Sequence, residues 1–202
     1  MIKLYHAAMT SSHRCRWALE EAGIQYEIER ISLSGGDHKR PEYLAVHPLG
    51  SVPALVDDEG RALIESAAIC MHVAELDPAR RLVPADGTRA RALYYQWILF
   101  AMTNLDGVIH PAYLRMLRMP PEHHRSAATD DERAALRRQL SAIGPSIAES
   151  WLLGDSFSAA DVVVGGLLEW AYACGLLQGA GAAESYHARL RARPAFQRAF
   201  AD

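Results

Sequence analysis

Four short groups of side chains hold most of the chemistry open to this chain: Thr10-Ser11-Ser12, His38, Val52-Pro53 and Glu65-Ser66. Pro53 closes the loop Val46-His47-Pro48-Leu49-Gly50-Ser51-Val52 and opens a short apolar strand. A proline at such a junction reads as a cis bond in a tight turn that leaves the backbone N–H and C=O of Val52 exposed. An edge of that kind pairs with an extended peptide as an added strand does. Glu65-Ser66 stands where a new helix starts, and unpaired N–H groups beside a hydroxyl there hold a carboxylate. Edge capture and carboxylate capture so close in sequence make a site for a small anionic peptide. Thr10, Ser11 and Ser12 lead into another helix, where hydroxyl donors either stabilise a negative charge or simply cap the helix.

The elements that must position these groups follow from local pattern. Residues 2–6 and 26–33 are short apolar runs bounded by turn residues and read as strands. Residues 14–22 have helical spacing (Cys15, Ala18, Leu19, Ala22), with Gly23 as the stop. Strand, helix, strand at this length is a parallel pair with a crossover helix. Residues 41–46 read as a short helical turn, 52–56 and 61–64 as a hairpin across Asp57-Asp58-Glu59-Gly60, and 65–76 as a helix. This β-α-β-α-β-β-α order is that of a thioredoxin-like domain.

Pro78, Pro84 and Gly87 mark 78–88 as a linker, and strand signals largely vanish beyond it. The expected architecture is α/β plus all-α: a thioredoxin-like domain over 1–77 and a helical bundle over 89–202. Long helices are expected over 89–118 and 127–151, the second kinked at Gly144-Pro145. Residues 158–174 are apolar nearly all round and predict a buried central helix. Short helices are expected near 186–193 and 194–201. Ser158-Ala159-Ala160-Asp161 has the form of a capping box, flanked by Phe157 and Val162 as a hydrophobic staple.

Composition excludes several classes. The 202 residues are 50% hydrophobic and 22% charged, ordinary for a globular protein. A net charge of −3 gives no electrostatic footprint for nucleic acid. Cys15, Cys70 and Cys174 are scattered, without metal spacing, and fit a reducing compartment. No signal peptide or membrane-length apolar run is read, so the expectation is a cytoplasmic protein without membrane or nucleic-acid partners.

The order and spacing of these pieces resemble the cytosolic glutathione transferases over nearly the whole chain. The resemblance is carried by Leu4-Tyr5, Thr10-Ser11-Ser12-His13-Arg14 and Leu19-Glu20-Glu21-Ala22-Gly23-Ile24. It continues through Arg40-Pro41-Glu42-Tyr43-Leu44, the Val-Pro turn, the Glu-Ser pair and Phe157-Ser158-Ala159-Ala160-Asp161. It implies glutathione as co-substrate, no metal, a small electrophilic partner substrate and a homodimer. It further implies conjugation to a small apolar electrophile. The alternatives are glutathione-dependent isomerisation, dehalogenation or disulfide reduction, or a non-enzymatic binding module. The isomerase branch carries a Ser-Ser-Cys run where this chain has Thr10-Ser11-Ser12, which weakens that version.

The resemblance also assigns roles. In serine-type branches a hydroxyl in the first turn holds the glutathione sulfur, here Ser11, with Thr10 and then Ser12 as alternatives. His38 approaches the glycyl carboxylate. The Val52 backbone and Pro53 meet the cysteinyl part, Ser66 the γ-glutamyl carboxylate, and Glu65 orients that end. Tyr5 lies too early to reach a thiol and reads as packing. Cys15 falls about one turn inside the helix and reads as a buried, inert thiol. His47 stands where many relatives have asparagine and is assigned to loop structure. The second substrate is expected between the domains, against a helical stripe of Met102, Leu105, Ile109, Tyr113 and Met116. Met102, Tyr113 and Met116 are the favoured contacts, and the Tyr113 hydroxyl is the polar contributor.

Overall fold

The computed structural model describes residues 1–201. They form two compact units: Met1–Val83 with the closing helix from Pro194, and Pro84–Arg193.

The first unit is built on β1 (Ile2–His6), β2 (Tyr26–Arg30), β3 (Ala54–Val56) and β4 (Ala62–Ile64), in the order β2-β1-β3-β4. β1 runs parallel to β2 and antiparallel to β3, with Leu4 opposite Leu55, and β3 pairs antiparallel with β4. The crossover helix α1 (Ser12–Ala22) starts two residues earlier than its apolar spacing suggests. Its stop is as expected: Gly23 is left-handed (φ 67°) and its N–H bonds Leu19 O. A single helical turn (Asp37–Lys39) and α2 (Pro41–Leu44) follow β2, and α3 (Ser66–Leu76) follows β4. The hairpin turn is held by Asp57, whose carboxylate accepts from Glu59 N and Arg61 N.

The second unit opens with α4 (Arg89–Phe100), capped by Thr88. A π-helical segment (Ala101–Leu105) joins it to α5 (Asp106–Met116), so the expected long helix is present with an internal irregularity. A short turn of helix (Pro121–Ser126) leads to α6 (Asp130–Leu140), which has a capping box of Thr129 and Glu132. The second long helix, expected over 127–151, does not form as one piece. It stops at Leu140, and only the short α7 (Gly144–Ile147) follows, opening on the Gly144-Pro145 pair. Trp151 and Gly154 instead close a tight bridge. α8 (Ala159–Ala173) is the buried centre of this unit, and α9 (Ala182–Arg191) packs on it.

The Ser158–Asp161 capping box is formed. Asp161 is wholly buried and accepts from Ser158 N, Ser158 Oγ, Leu152 N and the Tyr186 hydroxyl. Burial pushes its carboxyl above the usual range, against those four donors. The closing helix α10 (Pro194–Ala199), expected within the second domain, packs on α1 of the first unit. The reason is aromatic: Phe196 meets Trp17 edge-on at 4.9 Å, and Phe200 stacks on His13 at 4.9 Å.

Candidate functional site

The turn between β1 and α1 decides which hydroxyl is available. Met9 takes a left-handed conformation (φ 59°), which folds the turn back on itself. Thr10 Oγ1 donates to Ala7 O at 2.7 Å. Ser12 is fully buried, and its hydroxyl lies 2.8 Å from His6 Nδ1, 3.0 Å from Ala7 O and 2.7 Å from Thr10 Oγ1. Those two hydroxyls are occupied in holding the turn. Ser11 stands at the cap position of α1 but makes no capping bond. Its half-buried hydroxyl reaches outward instead, to Val52 O at 3.5 Å.

Val52 therefore sits beside Ser11, and the Val52–Pro53 bond is cis, as its position suggests. The loop ahead of it is fixed by the Tyr43 hydroxyl on Ser51 O at 2.5 Å. Gly50 (φ +60°) is where that loop presses on the His38 turn, for a Cβ there would lie 2.4 Å from His38 O. Only glycine fits both the dihedral and the space. His38 is half-buried, and its Nδ1 is buried with no hydrogen-bond partner. A buried nitrogen on the loop facing Gly50 is thus a polar group with an unmet hydrogen bond.

The start of α3 supplies the other end. Glu65 has φ 71° and ψ 110°, strained backbone for a residue with a side chain, and it makes no capping bond. Ser66 is buried as the first helical residue. Strain in an uncapped residue ahead of a helix leaves its first N–H groups without a side-chain acceptor, open to an anion. Two thiols tie this end to α1: Cys15 Sγ donates to Ser66 O at 3.5 Å and Cys70 Sγ to Arg14 O at 3.5 Å. Burial pushes the Cys15 thiol well up, and Cys70 adds to it, so Cys15 is a packed thiol rather than a nucleophile. Tyr5 packs on Tyr43, ring centroids 5.3 Å apart, and burial lifts the Tyr43 hydroxyl to about 12.

Residues 1–75 match the description "Glutathione S-transferase, N-terminal domain", and residues 107–194 match "Glutathione S-transferase, C-terminal domain". A glutathione S-transferase of Zea mays is 32% identical over 165 residues, covering 80% of this chain and 76% of its own. The chain belongs to the glutathione S-transferase family. Glutathione S-transferase GstA of Escherichia coli O157:H7 is 28% identical over 97% of this chain and 96% of its own. A glutathione transferase of Phanerochaete chrysosporium, solved in complex with oxidised glutathione, is 26% identical. It superposes with a TM-score of 0.82 over 99% of this chain and 94% of its own.

Within this transferase the first-unit candidates fall into three neighbouring loops and helix starts, around residues 10–12, 38–53 and 65–66. A cleft of about 430 Å³ in the same unit, floored by Tyr5, Ile31 and Tyr43, is lined by none of them. The second-unit candidates fare differently. Met102 is half-buried on the π-helical segment. Leu105, Ile109 and Met116 are fully buried, and Tyr113 is 4% exposed, its ring stacked on Trp170 at 4.6 Å. Burial, with Cys174 and Glu169 nearby, pushes the Tyr113 hydroxyl far up. Tyr113 and Met116 are therefore packed in the core of the second unit. A stripe at helical spacing reads the same whether it faces a core or a ligand.

One contributor escapes sequence reading. His6 closes β1 and bonds Ser12, and its only signal is a histidine ending an apolar strand. His47, assigned from sequence to loop structure, is buried; its backbone bonds Tyr43 O and Gly50 N, and its ring stacks on that of Tyr43 at 6.3 Å.

Proposed function

We propose that this glutathione transferase binds glutathione along the exposed edge at Val52 and uses the Ser11 hydroxyl to hold its sulfur as a thiolate. The cysteinyl backbone pairs with Val52 as an added strand. The γ-glutamyl carboxylate meets Ser66 and the first N–H groups of α3, and Glu65 turns toward the α-amino group. The glycyl carboxylate lies toward His38. A thiol is mostly protonated near neutral pH, and a hydroxyl donor beside the sulfur favours the charged form. The thiol proton passes to water. The thiolate then forms a sulfur–carbon bond to a small apolar electrophile held close by. The electron pair of the bond broken leaves with a departing anion such as halide, or, where the electrophile is an activated alkene, moves onto the adjacent carbon, which takes a proton from water.

The observation that supports this reading best is the Ser11 hydroxyl, 3.5 Å from Val52 O, while Thr10 and Ser12 are tied within their own turn. A ligand that pairs with Val52 brings its cysteinyl sulfur to the one hydroxyl free to turn. The buried state of all three cysteines favours conjugation over a disulfide exchange that uses a protein thiol. We assign the working form as a cytoplasmic homodimer with a role in detoxification. Exposed Leu49 in the first unit, and Tyr95 and Leu99 in the second, supply apolar surface for a second copy. The test is retention on immobilised glutathione, followed by a panel of electrophiles, a disulfide substrate and a maleyl isomerisation substrate. Retention with conjugation supports the reading. No retention refutes it, and retention with reductase or isomerase turnover alone reassigns the reaction.

A further inference from the structure

The second unit contains a cavity of about 230 Å³ lined by α8, α9 and the helical turn before α6. Tyr172, near the end of α8, lines it and is 36% exposed. The Arg125 guanidinium lies over the Tyr172 ring at 4.0 Å, and its Nη1 donates to Tyr172 O at 3.1 Å. Arg191, from α9, approaches the same ring at 5.0 Å. The His187 ring is 5.0 Å from that of Tyr172, and His187 Nε2 is held by Glu169 at 2.7 Å.

The arrangement is built rather than incidental. Gly175 (φ +79°) is seated against the backbone of Arg125, where a Cβ would lie 2.1 Å from the Arg125 carbonyl. Ala128 N bonds Cys174 O at 3.0 Å, which fastens the same stretch to the end of α8. Arg125 is thus fixed in place by backbone, stack and carbonyl.

Arg125 and Arg191 are balanced in number by Glu184, which also lines the cavity, and Glu169, but Arg125 itself is not paired with either. Arg125 has no carboxylate within ion-pair distance among the described residues. Glu169 is shared between His187 and Arg191, and the Glu184 carboxylate accepts from Gly179 N. A helix-capping role accounts for one Arg125 donor and one face of its guanidinium. The other donors line the cavity without a protein acceptor. We propose that this cavity is a second ligand site, separate from the glutathione site, for a small molecule bearing one oxyanion, a carboxylate or a phosphate. The planar guanidinium fork matches two oxygens of either group. The volume lies below the roughly 300–1,000 Å³ of drug-sized pockets, so the ligand is compact. Leu177 and Ala188 give it an apolar wall.

Isothermal titration of the full chain, without glutathione, with inorganic phosphate and separately with benzoate, tests this. The expected result is one saturable site per chain for at least one probe. It weakens about tenfold or more in Arg125→Gln and in Arg191→Gln and is unchanged in Arg118→Gln. Phosphate alone assigns the phosphate source, and benzoate alone a carboxylate on an apolar body. If Arg125→Gln melts differently by circular dichroism, Arg191→Gln carries the comparison. No saturable binding of either probe overturns the proposal, and so does binding that both substitutions leave intact. Retention on glutathione is unaffected in both variants, which separates this site from the first.

Discussion

The Ser11 hydroxyl and the Val52 carbonyl oxygen stand 3.5 Å apart, brought together across 41 positions of sequence. The contact joins the turn that ends β1 to the loop that ends in the cis proline. At 3.5 Å it is a weak bond, so the hydroxyl is easily drawn to a stronger acceptor. A thiolate is such an acceptor.

The neighbouring serine has the opposite character. Ser12 is fully buried and bonded to His6, Ala7 and Thr10. Ser12→Ala leaves buried polar groups without partners and lowers stability by about 1–3 kcal/mol. Ser11→Ala changes stability by less than about 0.5 kcal/mol, as a half-exposed residue with one weak bond. Urea unfolding of the two variants measures the difference. Equal losses would contradict this division of labour.

His38→Gln raises KM for glutathione about five- to tenfold with kcat nearly constant, the signature of lost binding common to ground and transition states. Steady-state kinetics with varied glutathione measures it. A fall in kcat at unchanged KM would move His38 from binding to chemistry.

Tyr113→Phe retains kcat/KM within about twofold, because the ring stack on Trp170 is kept and the hydroxyl is buried. Tyr113→Ala costs about 3–5 kcal/mol of stability as a core truncation. A large kcat/KM loss in Tyr113→Phe, at normal stability, would restore the hydroxyl to the substrate site.

Much of this fold is legible because its signals are local. Gly23, the Asp57–Gly60 turn, the proline after Val52 and the Ser158–Asp161 box each specify a nearby backbone state. The choice among Thr10, Ser11 and Ser12 is not local. It depends on the left-handed Met9 turn and on His6, which direct two hydroxyls inward. The burial of the Tyr113 stripe is not legible for a related reason, since period alone does not say what lies opposite a helix face. The break after Leu140 and the docking of α10 on Trp17 are tertiary outcomes that the sequence pattern left open.

Asp77, buried after α3, is one of the carboxylates that contribute to acid stability, with Glu20, Asp57 and Glu132. Burial pushes its carboxyl up, but Arg81 and the backbone N–H groups of Arg81 and Ala79 outweigh that and hold it below its ordinary value of 3.8. Its folded value is the lower one, so its contribution is complete above pH 3.8 and is lost as pH falls through the folded value. Unfolding free energy measured from pH 7 downward falls in the wild type, and the fall is shallower in Asp77→Asn. Parallel curves would refute the role of Asp77.

The most direct test of the central claim is the thiol pKa of bound glutathione, read by ultraviolet thiolate absorbance across pH in wild type and Ser11→Ala. The account predicts a bound pKa well below that of free glutathione, returning toward the free value in Ser11→Ala while binding persists. A lowered pKa that survives the substitution would contradict it and move thiolate stabilisation away from Ser11.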